Sequence, residues 1–185
     1  KHGIQILAVL LTTPEWARGP SGNAQAPATQ TAPPQNPSAF ASFAKAFATR
    51  YDPGVMAYQI WDEPNLSAAW GNGLINPSAY LALLKQTRAA IREASPNAIT
   101  LLAGLAPTVE QSEVNLAPQI YLRKLYELGG KDFFDVAAAK PYGFDIPPDD
   151  RRVDAGVLNF SHVILMREEM ARNGDADKAI WLTQF

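Results

Sequence analysis

The hydrophobic positions follow two alternating rhythms along the chain. Five short apolar runs, Ile4 to Leu11, Val55 to Trp61, Ile99 to Ala103, Phe134 to Ala139 and Ala179 to Thr183, carry little polar interruption. Such runs read as strands buried on both faces, the pattern of a covered parallel sheet. Between them, apolar residues recur at helical spacing. Pro37 to Tyr51 sets Phe40, Phe43, Ala44 and Phe47 on one face, and Pro77 to about Ala94 does the same with Tyr80, Leu83, Leu84, Thr87 and Ile91. Ala117 to Leu128 and Leu158 to Arg172 are the remaining helical segments. Asn76-Pro77 is a helix start, and Gly129-Gly130 and Asn173-Gly174 are stops.

The resulting order is β-α-β-α-β-α-β-α-β in a single α/β domain over residues 1–185. Each strand ends in polar or aromatic residues with a Pro or Gly, as expected where βα loops gather at the mouth of a barrel. A complete (β/α)8 TIM barrel takes about 250 residues, so five strands in this length predict a partial barrel. An open doubly wound sheet is the rival, weakened because no Gly-rich phosphate loop follows the first strand. Ala17 to Pro37, rich in Pro, Ala, Gln, Ser and Thr, reads as a long loop.

Composition narrows the function classes. A net charge of −2 and a pI near 5.7 give no support for nucleic-acid or polybasic membrane binding. No apolar run approaches the roughly 20 residues of a membrane-spanning helix. There are no cysteines, and His2 and His162 are too isolated to suggest a zinc site; neither metal nor cofactor is expected. The chain starts at Lys1 without Met and stops directly after an apolar run, which suggests a piece of a longer or processed protein.

The candidate chemistry sits in Trp61-Asp62-Glu63-Pro64-Asn65. A buried strand runs into two adjacent acids, and a proline then prevents its continuation. The plain alternative is a strand stop with a solvated acidic turn. Trp61-Asp62-Glu63-Pro64-Asn65 resembles the Trp-Asn-Glu-Pro-Asn motif of clan A glycoside hydrolases. Ile180-Trp181-Leu182-Thr183-Gln184-Phe185 is similar to their seventh-strand Trp-Leu-Thr-Glu-Phe-Gly. Leu11-Thr12-Thr13-Pro14-Glu15-Trp16-Ala17 resembles the third-strand end, and Lys140-Pro141-Tyr142-Gly143 resembles a sixth-strand His-Pro-Tyr-Gly. The nearest groups are the β-xylosidase/α-iduronidase-like and cellulase-like families, with this chain covering strands three to seven.

The resemblance implies a retaining hydrolase of O-glycosidic bonds, with Glu63 as acid/base and position 184 as nucleophile. Position 184 is Gln, whose amide cannot attack an anomeric carbon, so hydrolysis is expected to be weak or absent. Asp62 stands where the family has Asn, and Lys140 where it has His. Lys140 is expected either to pair with Glu63 or Asp62 or to be a solvated loop residue. Asp62, adjacent to Glu63 on a strand, is expected on the opposite face unless the turn rotates it. An inverting pair, with carboxyls about 6.5–9.5 Å apart, is a minor alternative.

Sugar contacts are expected from Asp62, Asn65, Lys140 and the aromatics Trp16, Trp61, Trp70 and Tyr142, with Trp181 either platform or core. The implied partner is an oligo- or polysaccharide, and the implied location extracellular or periplasmic. Two alternatives remain: a carbohydrate-binding pseudoenzyme, and a scaffold whose open sheet edges are covered by a protein partner or by further chain.

Overall fold

The computed structural model describes residues 3–18 and 29–185. Five strands alternate with four helices: β1 (Ile6–Leu10), α1 (Pro37–Tyr51), β2 (Val55–Ile60), α2 (Pro77–Ala94), β3 (Ile99–Leu101), α3 (Pro118–Glu127), β4 (Ala137–Ala139), α4 (Val163–Arg172) and β5 (Ile180–Leu182). β1, β2 and β3 pair in parallel, as do β4 and β5. Parallel bridges Leu101–Val136 and Leu105–Ala139 join the two sets. The strand order therefore follows the chain order without reversal. A doubly wound sheet reverses at a switch point, so this is an arc of a (β/α)8 barrel.

The helices pack in sequence, α1 on α2, α2 on α3 and α3 on α4. Strand residues alternate between the two faces of the sheet. Tyr58 meets Phe47 of α1 on the helical side. Ala57, Leu101, Val136 and Ala138 form a second cluster, with Trp181 packed against it. This second cluster is the inner lining of the arc. Gln59 belongs to the same face as Ala57, and its position becomes important at the mouth.

Local sequence explains the helix starts. Pro37 and Pro77 occupy first-turn positions where no backbone N–H is needed. Asn36 accepts from Ser38 N at 3.0 Å and Asn76 from Ala79 N at 2.9 Å. On α2 the expected stripe is buried as a whole. On α1 the buried stripe is Phe40, Ala41, Ala44 and Ala48, while Phe43 stands half exposed. The small alanines let α1 lie close to its neighbours and leave Phe43 at the rim.

Tyr80 of α2 is fully buried, and its hydroxyl joins two strand ends. It donates to Ile60 O at 3.1 Å and accepts from Ala103 N at 2.7 Å. Burial drives its pKa far above the usual phenol value.

Two elements start three or more residues later than expected. β4 starts at Ala137 because the Asp135 side chain takes the Thr100 N–H at 2.8 Å, an acceptor role that a backbone carbonyl would otherwise fill. α4 starts at Val163 because the preceding turn is tied backwards. Asn159 Nδ2 donates to Asp150 Oδ1 and Arg152 O, and Ser161 Oγ donates to Asp150 O. Short polar side chains that bond nearby groups compete with helix in this way. Of the long loop between β1 and α1, residues 19–28 lie outside the described residues, as does His2.

The edges of the arc differ from its middle. In β2 every residue but Met56 is buried, whereas Ile6 and Val9 of β1 and Leu182 of β5 are exposed. No described helix is long and apolar enough to cross a membrane.

Candidate active site at the mouth of the arc

The end of β2 is bent sharply. Trp61 and Glu63 both have left-handed backbone, at φ 68° and 50°. Neither residue favours that conformation, which costs roughly 1–2 kcal/mol per residue. The bend is held from several sides. Trp61 N donates to Leu10 O at 2.8 Å, Glu63 N to Gly104 O at 3.0 Å, and the Trp61 indole to Ala69 O at 2.9 Å. The indole also packs against Phe40 and Trp70.

The bend turns both acids toward one cation. Lys140 Nζ lies 2.7 Å from Asp62 Oδ2 and 2.8 Å from Glu63 Oε1. The lysine side chain is only 5% exposed, and those of Asp62 and Glu63 are 29% and 28% exposed. Burial pulls the Lys140 pKa down, but bonds and charge from the two carboxylates outweigh it and hold the ammonium above its ordinary value. Lys140 is thus the paired cation of the two alternatives. The two oxygens bonded to one ammonium at 2.7 and 2.8 Å lie closer together than the about 6.5–9.5 Å of an inverting pair.

Two neighbours complete this cluster. Gln59, 1% exposed on the inner face, donates through Nε2 to Trp61 O and Asp62 Oδ1, both at 3.0 Å. Its Oε1 is buried without a partner among the described residues. Gly104 lets the neighbouring strand ends close in: a Cβ there would lie 3.1 Å from Asp62 Oδ1, 3.1 Å from Thr183 Oγ1 and 3.2 Å from Lys140 Cε. Thr183 Oγ1 is likewise buried and unpartnered among the described residues. Gln59, Gly104 and Thr183 were absent from the expected site. The one polar residue inside the Val55–Ile60 run was the available clue to Gln59.

The remaining expected contacts are spread more widely. Asn65 is fully buried and consumed by backbone. Its Nδ2 donates to Ala106 O and Leu116 O, and its Oδ1 accepts from Ala106 N, all at 2.9 Å. Trp61 and Trp70 are buried in an aromatic chain that continues to Tyr80, so their faces meet protein and not the mouth. Trp16 is 82% exposed beside a cavity of about 240 Å³ lined by Leu11, Pro14, Phe40 and Phe43. Tyr142 is partly buried, its ring edge-on to Phe144. Trp181 is partly buried against the inner cluster.

Gln184 follows β5 and is exposed. Thr183 N donates to Ala139 O, which places this strand end beside that of Lys140. No hydrogen bond joins Gln184 to the Lys140 cluster among the described residues.

No known sequence family matches the chain, and no curated protein matches it in sequence. Its likeness lies in three dimensions. It superposes on a monomeric β-xylosidase from Caulobacter crescentus CB15 with a TM-score of 0.63 at 19% identity, over 95% of this chain and 36% of that one. A family 39 glycoside hydrolase from Bacteroides cellulosilyticus WH2 gives 0.59 at 19% identity, over 81% and 30%. A glucosidase from Croceicoccus marinus gives 0.68 at 13%, over 97% and 34%. The chain shares the fold of these structures, as a partial (β/α)8 barrel. It spans about a third of the length of these structures.

Proposed function

We propose that the chain carries a carbohydrate-binding mouth of the retaining glycoside hydrolase type, with hydrolysis severely weakened. Glu63 occupies the acid/base position and Gln184 the nucleophile position. The observation that carries this reading is the Lys140 ammonium bonded to both Asp62 and Glu63.

Retaining hydrolysis needs two carboxyl groups about 5–5.5 Å apart, one to protonate the leaving oxygen and one to attack. Here Glu63 accepts a hydrogen bond from an ammonium, whereas protonating a leaving group requires a carboxylic O–H. The position from which attack would come holds a neutral amide. Gln184 supplies neither a nucleophile nor negative charge for an oxocarbenium-like transition state. What survives is suited to binding: acceptors on Asp62 and Glu63, an exposed Trp16, and Tyr142 at the rim. A location outside the cytoplasm, where polysaccharides are met, belongs to this reading.

The test is paired. Binding of xylo- and cello-oligosaccharides is measured by titration calorimetry, and release of aryl alcohol from activated xylosides and glucosides is followed with and without azide. Binding with little or no turnover is expected. Turnover by the unmodified chain at ordinary glycosidase rates would overturn the reading, because another carboxylate would then have to attack. Failure to bind any sugar would favour the scaffold alternative, in which a protein meets the exposed edge residues Ile6 and Val9.

A further inference from the structure

We propose that the mouth selects sugars by charge, favouring those that carry an ammonium group, accepting neutral ones and rejecting uronates. The inference rests on the carbohydrate-binding reading above and specifies its ligand class.

The first observation is local. Lys140 is the buried cation of the site, and both of its close partners are carboxylates. One ammonium between two carboxylates leaves the cluster a net charge of −1, with its own cation already paired. The second Glu63 oxygen makes no hydrogen bond among the described residues. Around the same cluster two buried oxygens have no partner among the described residues: Gln59 Oε1, on the side chain that holds Asp62, and the Thr183 hydroxyl, packed over Gly104. Gln59 can accept only with that oxygen, because its Nε2 donates to Trp61 O and Asp62 Oδ1. A ligand bringing N–H donors fits the carboxylates and the Gln59 carbonyl, whereas a ligand carboxylate would find a donor only in the Thr183 hydroxyl.

The second observation concerns the rim. The loops after β1, β2, β3 and β4 hold nine of the chain's 18 acidic residues but only four of its 16 Lys and Arg. Their formal charge is therefore −5, against −2 for the whole chain. The acids are concentrated in these loops, and the rest of the chain is correspondingly positive. Asp145 and Asp149, both exposed, lie in the loop that begins at Lys140. A cleft lined by one sign of charge concentrates ligands of the other sign and repels its own.

The experiment compares three oligosaccharides of equal length by titration calorimetry at mildly acidic pH and low ionic strength: protonated glucosamine, neutral xylose and galacturonate. The glucosamine oligomer is expected to bind roughly fivefold or more tightly than the xylose oligomer, as for a unit charge near 4 Å in water. The galacturonate oligomer is expected to bind more weakly than xylose by a similar factor or not at all. Added salt should compress the spread. The double variant Asp145→Asn/Asp149→Asn, at two exposed positions where folding is not at stake, should narrow it as well. Galacturonate binding as tightly as xylose, or a spread indifferent to salt and to the double variant, would overturn the charge selection alone. No binding of any of the three would overturn the carbohydrate-binding reading and this inference with it.

Discussion

Two ionic clusters stand at opposite ends of the strands, and they are near inverses. At the mouth, one lysine holds two carboxylates, Asp62 and Glu63. At the floor, one carboxylate, Asp135, holds two guanidinium groups, Arg88 and Arg92, at 3.0 and 2.9 Å. The floor cluster is anchored in the sheet, because Asp135 also accepts from Thr100 N. Its unpaired buried nitrogens, Arg88 Nε and Arg92 Nε, are donors. The mouth cluster is anchored through Gln59, and its unpaired buried oxygens are Gln59 Oε1 and Thr183 Oγ1. The floor clamp knits two strands to a helix. The mouth turns acceptors toward the place where βα loops converge. Similar chemistry thus serves closure at one end and leaves binding capacity at the other.

The strongest test of this contrast is Lys140→Met. It leaves two partly buried carboxylates facing each other, and removing one member of a buried ion cluster destabilises by about 3–5 kcal/mol. The carboxylates retain some solvent, so a loss below that range, about 2–3 kcal/mol, is expected in urea unfolding. A change below about 0.5 kcal/mol would mean that the cluster does not hold the bend at the end of β2.

Asn65→Ala comes next. It strands Ala106 N, Ala106 O and Leu116 O in the interior, with an expected loss of about 2 kcal/mol by the same measurement. A much smaller loss, with a sharp fall in sugar binding, would make Asn65 a ligand contact instead of a backbone clamp.

The two clusters should also separate by pH. For Asp135, burial raises the pKa, but the Thr100 N–H and the two arginines overcome it and hold the carboxyl below its ordinary value. Its stabilisation is therefore complete above the unfolded-state pKa and lost as pH falls through the lower folded one. Lys140 has a raised folded pKa, so its contribution is complete below the unfolded value and lost as pH rises through the folded one. Asp135→Asn should flatten the acid limb of the stability profile and leave the alkaline limb in place. A Lys140 variant should do the opposite. Chemical denaturation across pH separates the two outcomes.

The smallest expected effect on stability is that of Gln184→Glu. Position 184 is exposed, so unfolding should shift by less than about 0.5 kcal/mol. The informative readout there is turnover of aryl glycosides, in which a gain would identify the missing carboxylate as one limiting element. No gain would point to Lys140 and its hold on Glu63.

The alternating strand and helix rhythm was legible because covered strands are apolar on both faces, and because Asn76-Pro77 marks the start of α2. The pairing of Lys140 was legible as one of two outcomes, since a lysine at one strand end lies within reach of acids at another. The convergence of Asp62 and Glu63 on the same ammonium was open, because it depends on left-handed backbone at Trp61 and Glu63, which no local propensity announces. The aromatic residues were the hardest to assign. Trp61 and Trp70 have the composition of a sugar platform, yet the loop after β2 folds them into one chain of ring contacts with Tyr80. Asn65 looked like a ligand amide and is a backbone clamp, a difference set by the loops that close over it.

The Tyr80 hydroxyl has a consequence for how the mouth can move. It rivets Ile60 O to Ala103 N, one residue before Trp61 on β2 and one residue before Gly104 beyond β3. The shoulders carrying Asp62 and Gly104 are therefore fastened to the same phenol of α2. A displacement of α2 carries both shoulders with it and leaves the span between them unchanged. That span behaves as a fixed jaw, and adjustment to a ligand falls to the lysine and the rim loops.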